Sequence, residues 1–169
     1  MELRIWQVDA FAEKVFEGNP AAVVPLASWL SDEQMQSIAA ENNLSETAFL
    51  VPEAAGNYGR CQLRWFTPEV EVPLCGHATL ASAWVIFSSL QPGLSTVTFS
   101  TKSGDLVVTR ASAGDLEMAL PAYAAVPHPE SEDFIEALEE AMDITPKEVL
   151  KANYAIAVYA SADEILEAD

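Results

Sequence analysis

The chain has 169 residues, half of them hydrophobic, and 8 Lys and Arg against 26 Asp and Glu, a formal net charge of −18. Phosphate backbones and anionic membrane surfaces are held by cations, so this balance argues against nucleic-acid and membrane partners. The apolar content is too high for an acidic disordered protein, and the length suits one domain, or one domain with part of a second.

Leu3, Ile5, Gln7 and Asp9 alternate with Arg4, Trp6, Val8 and Ala10, which predicts a strand ending near Phe11. Glu17-Gly18-Asn19-Pro20 is a turn signal, because Gly and Asn tolerate positive φ, and Ala21–Val24 follows as a strand. Ser31 opens a helix. Ser31 and Gln34 have capping-box spacing, Leu30 and Met35 could form a hydrophobic staple, and Met35, Ile38 and Ala39 make the apolar face. Asn42-Asn43 ends it. Strands are predicted over Thr47–Val51 and Arg60–Thr67, the second with Cys61, Leu63 and Trp65 on one face.

From His77 the pattern turns helical, with Leu80, Ala83, Trp84, Phe87 and Ser88 on one stripe. No Asp, Glu, Lys or Arg occurs from His77 to Leu94. A helix apolar on every side is a buried one. Three short strands are predicted over 96–101, 105–110 and 115–120, joined at Ser103-Gly104 and Ala113-Gly114. Residues 1–120 therefore read as an α+β unit, a sheet with a buried helix against or inside it.

Pro121 to Pro129 holds three prolines and no periodicity, so 121–130 reads as a crossover. Beyond it the chain changes character. Residues 128–169 carry 12 acidic and 2 basic side chains, whereas residues 1–127 carry 14 and 6. Ser131 starts an acidic helix with Phe134, Ile135 and Leu138 facing inward. Thr145-Pro146-Lys147-Glu148 has the form of a helix start, Tyr154–Tyr159 reads as a strand, and Ser161–Glu164 opens a last helix. His128, between prolines, is expected to be exposed.

Two cysteines, Cys61 and Cys75, are too few for a disulfide framework, and no signal peptide is visible, so the expected location is cytoplasmic. No dinucleotide or Walker motif is present. The spacing of the two histidines, thiols and carboxylates supports no metal site. Three places could carry chemistry. Glu46, in Asn43-Leu44-Ser45-Glu46-Thr47, lies at a helix-to-strand junction. A carboxylate carried into partly apolar surroundings can serve as general acid or base near neutral pH, although a surface-loop glutamate fits the same sequence. Cys75-Gly76-His77-Ala78-Thr79 opens the buried helix, whose free N–H groups suit a carboxylate ligand. Cys75 and His77 are two apart and on a regular helix would not face each other, so Cys75 reads first as a small buried hydrophobe. Gly18-Asn19-Pro20 is by itself only a turn, with Asn19 able to present its amide.

Taken in order, these stretches resemble a known family, the PhzF-like (phenazine biosynthesis-like) proteins of the diaminopimelate-epimerase fold. The matching segments are Gln7-Val8-Asp9-Ala10-Phe11, Phe16–Val23, Asn43–Phe49, Arg64-Trp65-Phe66-Thr67-Pro68 and Glu71–Ala81. The resemblance implies two similar lobes, each a mixed, mainly antiparallel sheet curled around a central helix, with the ligand between them at the helix N-termini. Residues 77–90 would be the central helix of a first lobe over 1–120, and residues 131–169 the beginning of a second. It implies a cofactor-independent isomerase or epimerase that shifts a proton on a small carboxylic acid, as in the family member that isomerises dihydro-hydroxyanthranilic acid, working as a cytoplasmic homodimer. Glu46 matches the family's catalytic glutamate. Gly76 and His77 match the substrate-holding loop, and Asn19, Ser45 and Thr79 match cleft-lining positions. Cys75 stands where the epimerases carry a catalytic thiol.

The resemblance also implies a longer product. A facing lobe would supply its own central helix, a glycine-rich loop and an aspartate opposite Glu46. A fragment, a natural truncation and a site completed by a partner chain are all compatible with the sequence. Residues 128–169 are expected to lack sheet partners. Two other readings stand beside the isomerase: a non-catalytic lobe that binds a metabolite or a protein, and a thiol hydrolase using Cys75.

Overall fold

The computed structural model describes residues 2–14, 16–111 and 114–166. The chain divides into two compact units, Met1–Leu120 and Pro121–Asp169. The first contains β1 (Trp6–Ala10), β2 (Asn19–Pro25), α1 (Asp32–Asn42), β3 (Glu46–Ala54), β4 (Asn57–Phe66), β5 (Glu71–Val72), α2 (Gly76–Val85), β6 (Thr96–Thr101), β7 (Gly104–Arg110) and β8 (Leu116–Met118). One π-helical stretch, Ile86–Leu90, prolongs α2. Seven strands form a sheet in the order β1-β2-β3-β4-β6-β7-β8, with β5 paired to β4 as an eighth. The β2–β3 and β4–β6 pairs are parallel and the others antiparallel, so this is a mixed, mainly antiparallel sheet.

Helix α2 explains the curl. It packs against β1, β2 and β3 near one end of the strand order and against β8 at the other. A sheet whose two ends reach the same helix is bent around it. Such packing requires small residues on the helix, and Ala78, Thr79, Ala81, Ser82 and Ala83 are all buried. Cys61, Leu63 and Trp65 of β4, Val97 and Phe99 of β6, and Leu106 and Val108 of β7 complete this core. Each such large side chain taken out of water contributes about 1.5–3 kcal/mol. The apolar stripe read from the sequence is corrected at two positions: Trp84, 48% exposed, and Ser88 both face outward, because the interior takes the small residues of α2.

A second cluster lies under α1, with Met35, Ala39, Phe49 and Phe66 buried and Leu30 and Ile38 packed against them. Ser31 caps α1 with the expected box. Its hydroxyl accepts the Gln34 N–H and the Gln34 side chain accepts the Ser31 N–H. The left-handed Asn43 (φ 49°) ends it. In the turn between β7 and β8, Ala113 lies outside the described residues, and Gly114 has φ +93°.

The second unit differs from its sequence reading in several places. It contains β9 (Val126–Pro127), α3 (Ser131–Met142), β10 (Glu148–Lys151), β11 (Ala155–Val158) and α4 (Ala162–Leu166). The stretch read as a crossover supplies β9, which pairs with β10, and β10 pairs with β11, so this segment finds sheet partners within itself. The helix expected from Thr145-Pro146 is strand β10: the Lys147 N–H donates to the Val158 carbonyl at 2.7 Å, a ladder bond that outweighs the local capping pattern. His128 is buried rather than exposed, because its ring packs at a 60° tilt 4.4 Å from that of Phe134 and its Nδ1 accepts the Glu130 N–H at 3.1 Å. Helix α3 buries no residue completely, and Phe134 itself is 37% exposed, since a three-stranded sheet offers too little surface to enclose it.

Candidate active site

Three chain segments bring the candidate residues together. Strands β2 and β3 run parallel with Ala21 opposite Glu46, so the start of β2 and the start of β3 lie at the same end of the sheet. Asn19 begins β2 and Glu46 begins β3. The turn before Asn19 demands glycine. Gly18 has φ +83°, and a Cβ there would stand 2.3 Å from the Ala10 carbonyl oxygen. Ser45 Oγ donates to Asn19 Oδ1 at 3.0 Å, and Asn42 Nδ2 donates to Thr47 Oγ1 at 3.1 Å, which ties the α1–β3 turn to the start of β2.

The third segment is the approach to α2. Strand β5 is anchored on β4, and Glu71 takes two hydrogen bonds from Arg64, each 2.8 Å, plus one of 2.6 Å from Lys102. Arg64 also lies 5.1 Å over the Phe66 ring and bonds Asp32 at 2.9 Å. The paired arginine holds the Glu71 carboxyl down at about 2. Ser103 Oγ donates to the Pro73 carbonyl at 2.8 Å. These contacts fix the backbone immediately before Cys75, Gly76 and His77.

Here the structure gathers what the spacing had separated. Cys75 is the N-cap of α2 and is extended (φ −145°, ψ 117°), so it does not follow helical spacing. Its Sγ lies 3.4 Å from His77 Nδ1. The expectation that these two side chains would not meet is therefore corrected. On its other side, His77 Nε2 lies 3.1 Å from Glu46 Oε2. That approach is close but not aligned as a hydrogen bond, and both atoms are shielded from water without another partner. The His77 side chain is 10% exposed and that of Glu46 19%. Buried polar atoms without partners are costly, so this facing pair leaves hydrogen-bonding capacity unused at the site.

The N-terminus of α2 adds to this. No side chain caps it and its first turn holds no acid, in contrast to α1, which has a capping box and Asp32 and Glu33. Its free N–H groups and positive dipole end suit an anionic group. A Cβ on Gly76 would meet only the Met118 methyl at 3.8 Å, so the backbone there is open on that side. Thr79, read as cleft-lining, is fully buried and its hydroxyl donates to the Cys75 carbonyl at 2.6 Å. It stiffens the first turn and is not available to a ligand.

Cys75, His77 and Glu46 have the order of a nucleophile, base and orienter, but the electrostatics oppose a free thiolate. Burial pushes the Cys75 thiol up to about 12, the negative Glu46 adds to that, and the nearby Ala78 N–H works against it. A thiol in this state is a poor nucleophile at neutral pH. The sequence reading also missed a groove of about 740 Å³ between the Gln7–Lys14 segment and α2, where the exposed Trp84 and Phe11 lie. The exposed Trp84 is the part of it a stripe analysis hides, since the residue matches the apolar period. No helix among the described residues is long and apolar enough to cross a membrane.

Comparison with known proteins agrees with this architecture. The family model described as phenazine biosynthesis-like protein (PhzC-PhzF) matches residues 8–166. An uncharacterized isomerase of Pseudomonas aeruginosa is 52% identical over 153 residues, covering 90% of this chain and 56% of its own length. Phenazine biosynthesis-like domain-containing protein 1 of Mus musculus is 48% identical over 143 residues, covering 81% of this chain and 49% of its own. A crystal structure of a phenazine biosynthesis protein of the PhzF family from Enterococcus faecalis superposes with a TM-score of 0.81 at 39% identity, over 100% of this chain and 62% of that one. The chain thus spans 56% and 49% of the length of these two curated relatives.

Proposed function

This chain belongs to the phenazine biosynthesis-like family, and from that membership we propose that it carries the catalytic wall of a proton-shifting isomerase or epimerase acting on a small carboxylic acid. In the proposed step, the Glu46 carboxylate takes a proton from a carbon next to an activating group. The C–H electron pair passes into the conjugated system of the substrate, and the resulting negative charge is held by the N–H groups of the α2 first turn. The protonated Glu46 then returns the proton to another carbon, with His77 beside it to relay the proton along the same face. Nothing is oxidised or reduced, so the chemistry requires proton positions only.

The observation that carries this reading is the close, unaligned approach of His77 Nε2 to Glu46 Oε2 at 3.1 Å, both shielded from water. An acid and a base poised side by side at an uncapped helix terminus match the needs of a proton relay on an anionic substrate. The Ser45–Asn19 bond at 3.0 Å keeps the residue before Glu46 in place. The names of the relatives support the class of reaction: two are named uncharacterized isomerases and one a predicted epimerase, all from Pseudomonas aeruginosa.

The test is exchange in D2O. The chain is incubated with a panel of 2-amino and β,γ-unsaturated carboxylic acids, dihydro-hydroxyanthranilic acid included, and followed by proton NMR. Deuterium enters at carbon with the parent chain and at least a hundredfold more slowly with Glu46→Gln, the scale at which one positioned acid–base group acts (about 10² to 10⁴). Equal exchange by the variant removes Glu46 from the chemistry.

A further inference from the structure

One cluster of three different metal-type donors occurs among the described residues: a carboxylate oxygen of Glu46, a ring nitrogen of His77 and the sulfur of Cys75, all within 4.8 Å of one another. We infer that these three residues form a binding site for a borderline-soft divalent cation of the Zn2+ type, the Cys75 thiol releasing its proton to solvent as the ion binds, with a fourth position open to water or to a carboxylate. Four features carry this. The donor set is nitrogen, sulfur and one carboxylate, which selects Zn2+ over Mg2+ or Ca2+.

The spacing lies within small side-chain rotations of a tetrahedral site. Bond lengths of about 2.0–2.3 Å at tetrahedral angles set ligand atoms about 3.3–3.6 Å apart. The observed approaches are 3.1 Å for Glu46 to His77 and 3.4 Å for Cys75 to His77. They use opposite ring nitrogens, so a cation takes one of them, and small side-chain rotations close the 4.8 Å span. The third feature is the unpartnered state of His77 Nε2 and Glu46 Oε2, on side chains 10% and 19% exposed. The fourth is rigidity: Cys75 and His77 are fixed by the β5 anchor and by the Thr79 bond to the Cys75 carbonyl, and Glu46 by the β2–β3 ladder. A site whose backbone is held in place gives up only side-chain rotation when the ion binds.

Occupancy would silence the proposed chemistry, because a cation on Glu46 takes the lone pair that accepts the proton. That consequence rests on the proton-transfer reading above, whereas the binding itself does not. Spacing along the chain does not show the site, because Cys75 belongs to the extended N-cap and Glu46 lies 29 residues before it.

Cobalt(II) is the probe, titrated into the full 169-residue chain and followed by absorption. One equivalent should raise a thiolate-to-cobalt charge-transfer band that excess Zn2+ removes. The band should be absent in Cys75→Ser and retained in Cys61→Ser. Glu46→Gln and His77→Gln should each weaken cobalt binding tenfold or more, with circular dichroism confirming that each variant folds. If Cys75→Ser fails to fold, the Glu46→Gln and His77→Gln titrations decide on their own. A parent chain that gives no band in excess cobalt overturns the site. So does a band that survives Cys75→Ser, or parent-like affinity in both Glu46→Gln and His77→Gln. Exchange is read on the chain freed of metal by chelator, so the two readings separate: cobalt binding with no exchange by the metal-free chain removes the isomerase and leaves the site, while exchange without a cobalt band does the reverse.

Discussion

The two units of the chain use the same local signals and reach different degrees of closure. In the first, a sheet bends around α2, β2 and β3 are buried on both faces, and β6 and β7 bury one face each. Trp65, Phe49, Phe99 and Met35 are its largest fully buried side chains. In the second, a three-stranded sheet carries α3, and among the described residues only His128, Pro146 and Val149 are buried. Phe134, Tyr154, Ile156, Ile165 and Leu166 remain exposed. The difference lies in the number of layers rather than in the pattern. Capping, alternation and amphipathicity specify elements, but an interior needs a second surface to close upon. The candidate site belongs wholly to the closed unit, where rigid strands and an immovable helix terminus can hold polar atoms without partners.

The sharpest test of this contrast is a pair of truncations. Phe99→Ala removes a fully buried ring from the sheet around α2 and should cost about 3–5 kcal/mol in urea unfolding. Phe134→Ala removes a ring already 37% exposed beside His128 and should cost about 1 kcal/mol or less. Equal losses would mean that the second unit shares a core the burial pattern does not reveal, and the contrast would be wrong.

The same contrast explains what could be read from residues alone. Within 1–120, periodicity located every strand longer than three residues and the buried helix, because each pattern was enforced by a real interior. It overlooked β5, two residues long, and the π-helical end of α2. Within 121–166 it went wrong where tertiary pairing decided: Thr145-Pro146 carries helix-start chemistry, yet the Lys147 N–H is taken by Val158. His128 looked exposed because sequence cannot say that the Phe134 ring packs against it. At the site, the residues Glu46, Gly76 and His77 were legible through order and resemblance. The meeting of Cys75 with His77 was not, because a helical spacing rule was applied to a residue that caps the helix instead of belonging to it.

Acid and alkali should both act through the closed unit. Arg64 holds Glu71 down at about 2 from an ordinary 4.5, so the folded state binds its proton less readily than the unfolded state. That stabilisation is complete above about 4.5 and is lost as pH falls toward 2, on the order of 2 kcal/mol after allowance for screening by water. Burial pushes the Cys61 and Cys75 thiols up to about 12 from 9, so the folded state keeps protons that the unfolded state releases. Stability therefore also falls as pH rises from 9 toward 12. Urea midpoints across pH should show both limbs. Glu71→Gln should flatten the acid limb alone and Cys61→Ala should weaken the alkaline one. An acid limb unchanged in Glu71→Gln would show that carboxylates outside the Arg64 cluster govern it.

The smallest expected effects come from two helix caps of the same design. Ser31 Oγ accepts the Gln34 N–H at 3.2 Å, and the Gln34 side chain returns the bond to the Ser31 N–H at 3.2 Å. Ser161 Oγ accepts the Glu164 N–H at 3.3 Å, and Glu164 reaches back to the Ala160 N–H at 2.8 Å. The chemistry is nearly equal, yet the helices differ. Helix α1 buries Met35 and Ala39, whereas the five-residue α4 buries nothing. A cap contributes to global stability only if its helix unfolds with the core, so Ser31→Ala should cost about 1 kcal/mol in urea unfolding. Ser161→Ala should leave the urea midpoint unchanged and only hasten amide exchange at 163–166. A shift of the global midpoint by Ser161→Ala would tie α4 to the cooperative unit and erase the distinction between the two halves of the chain.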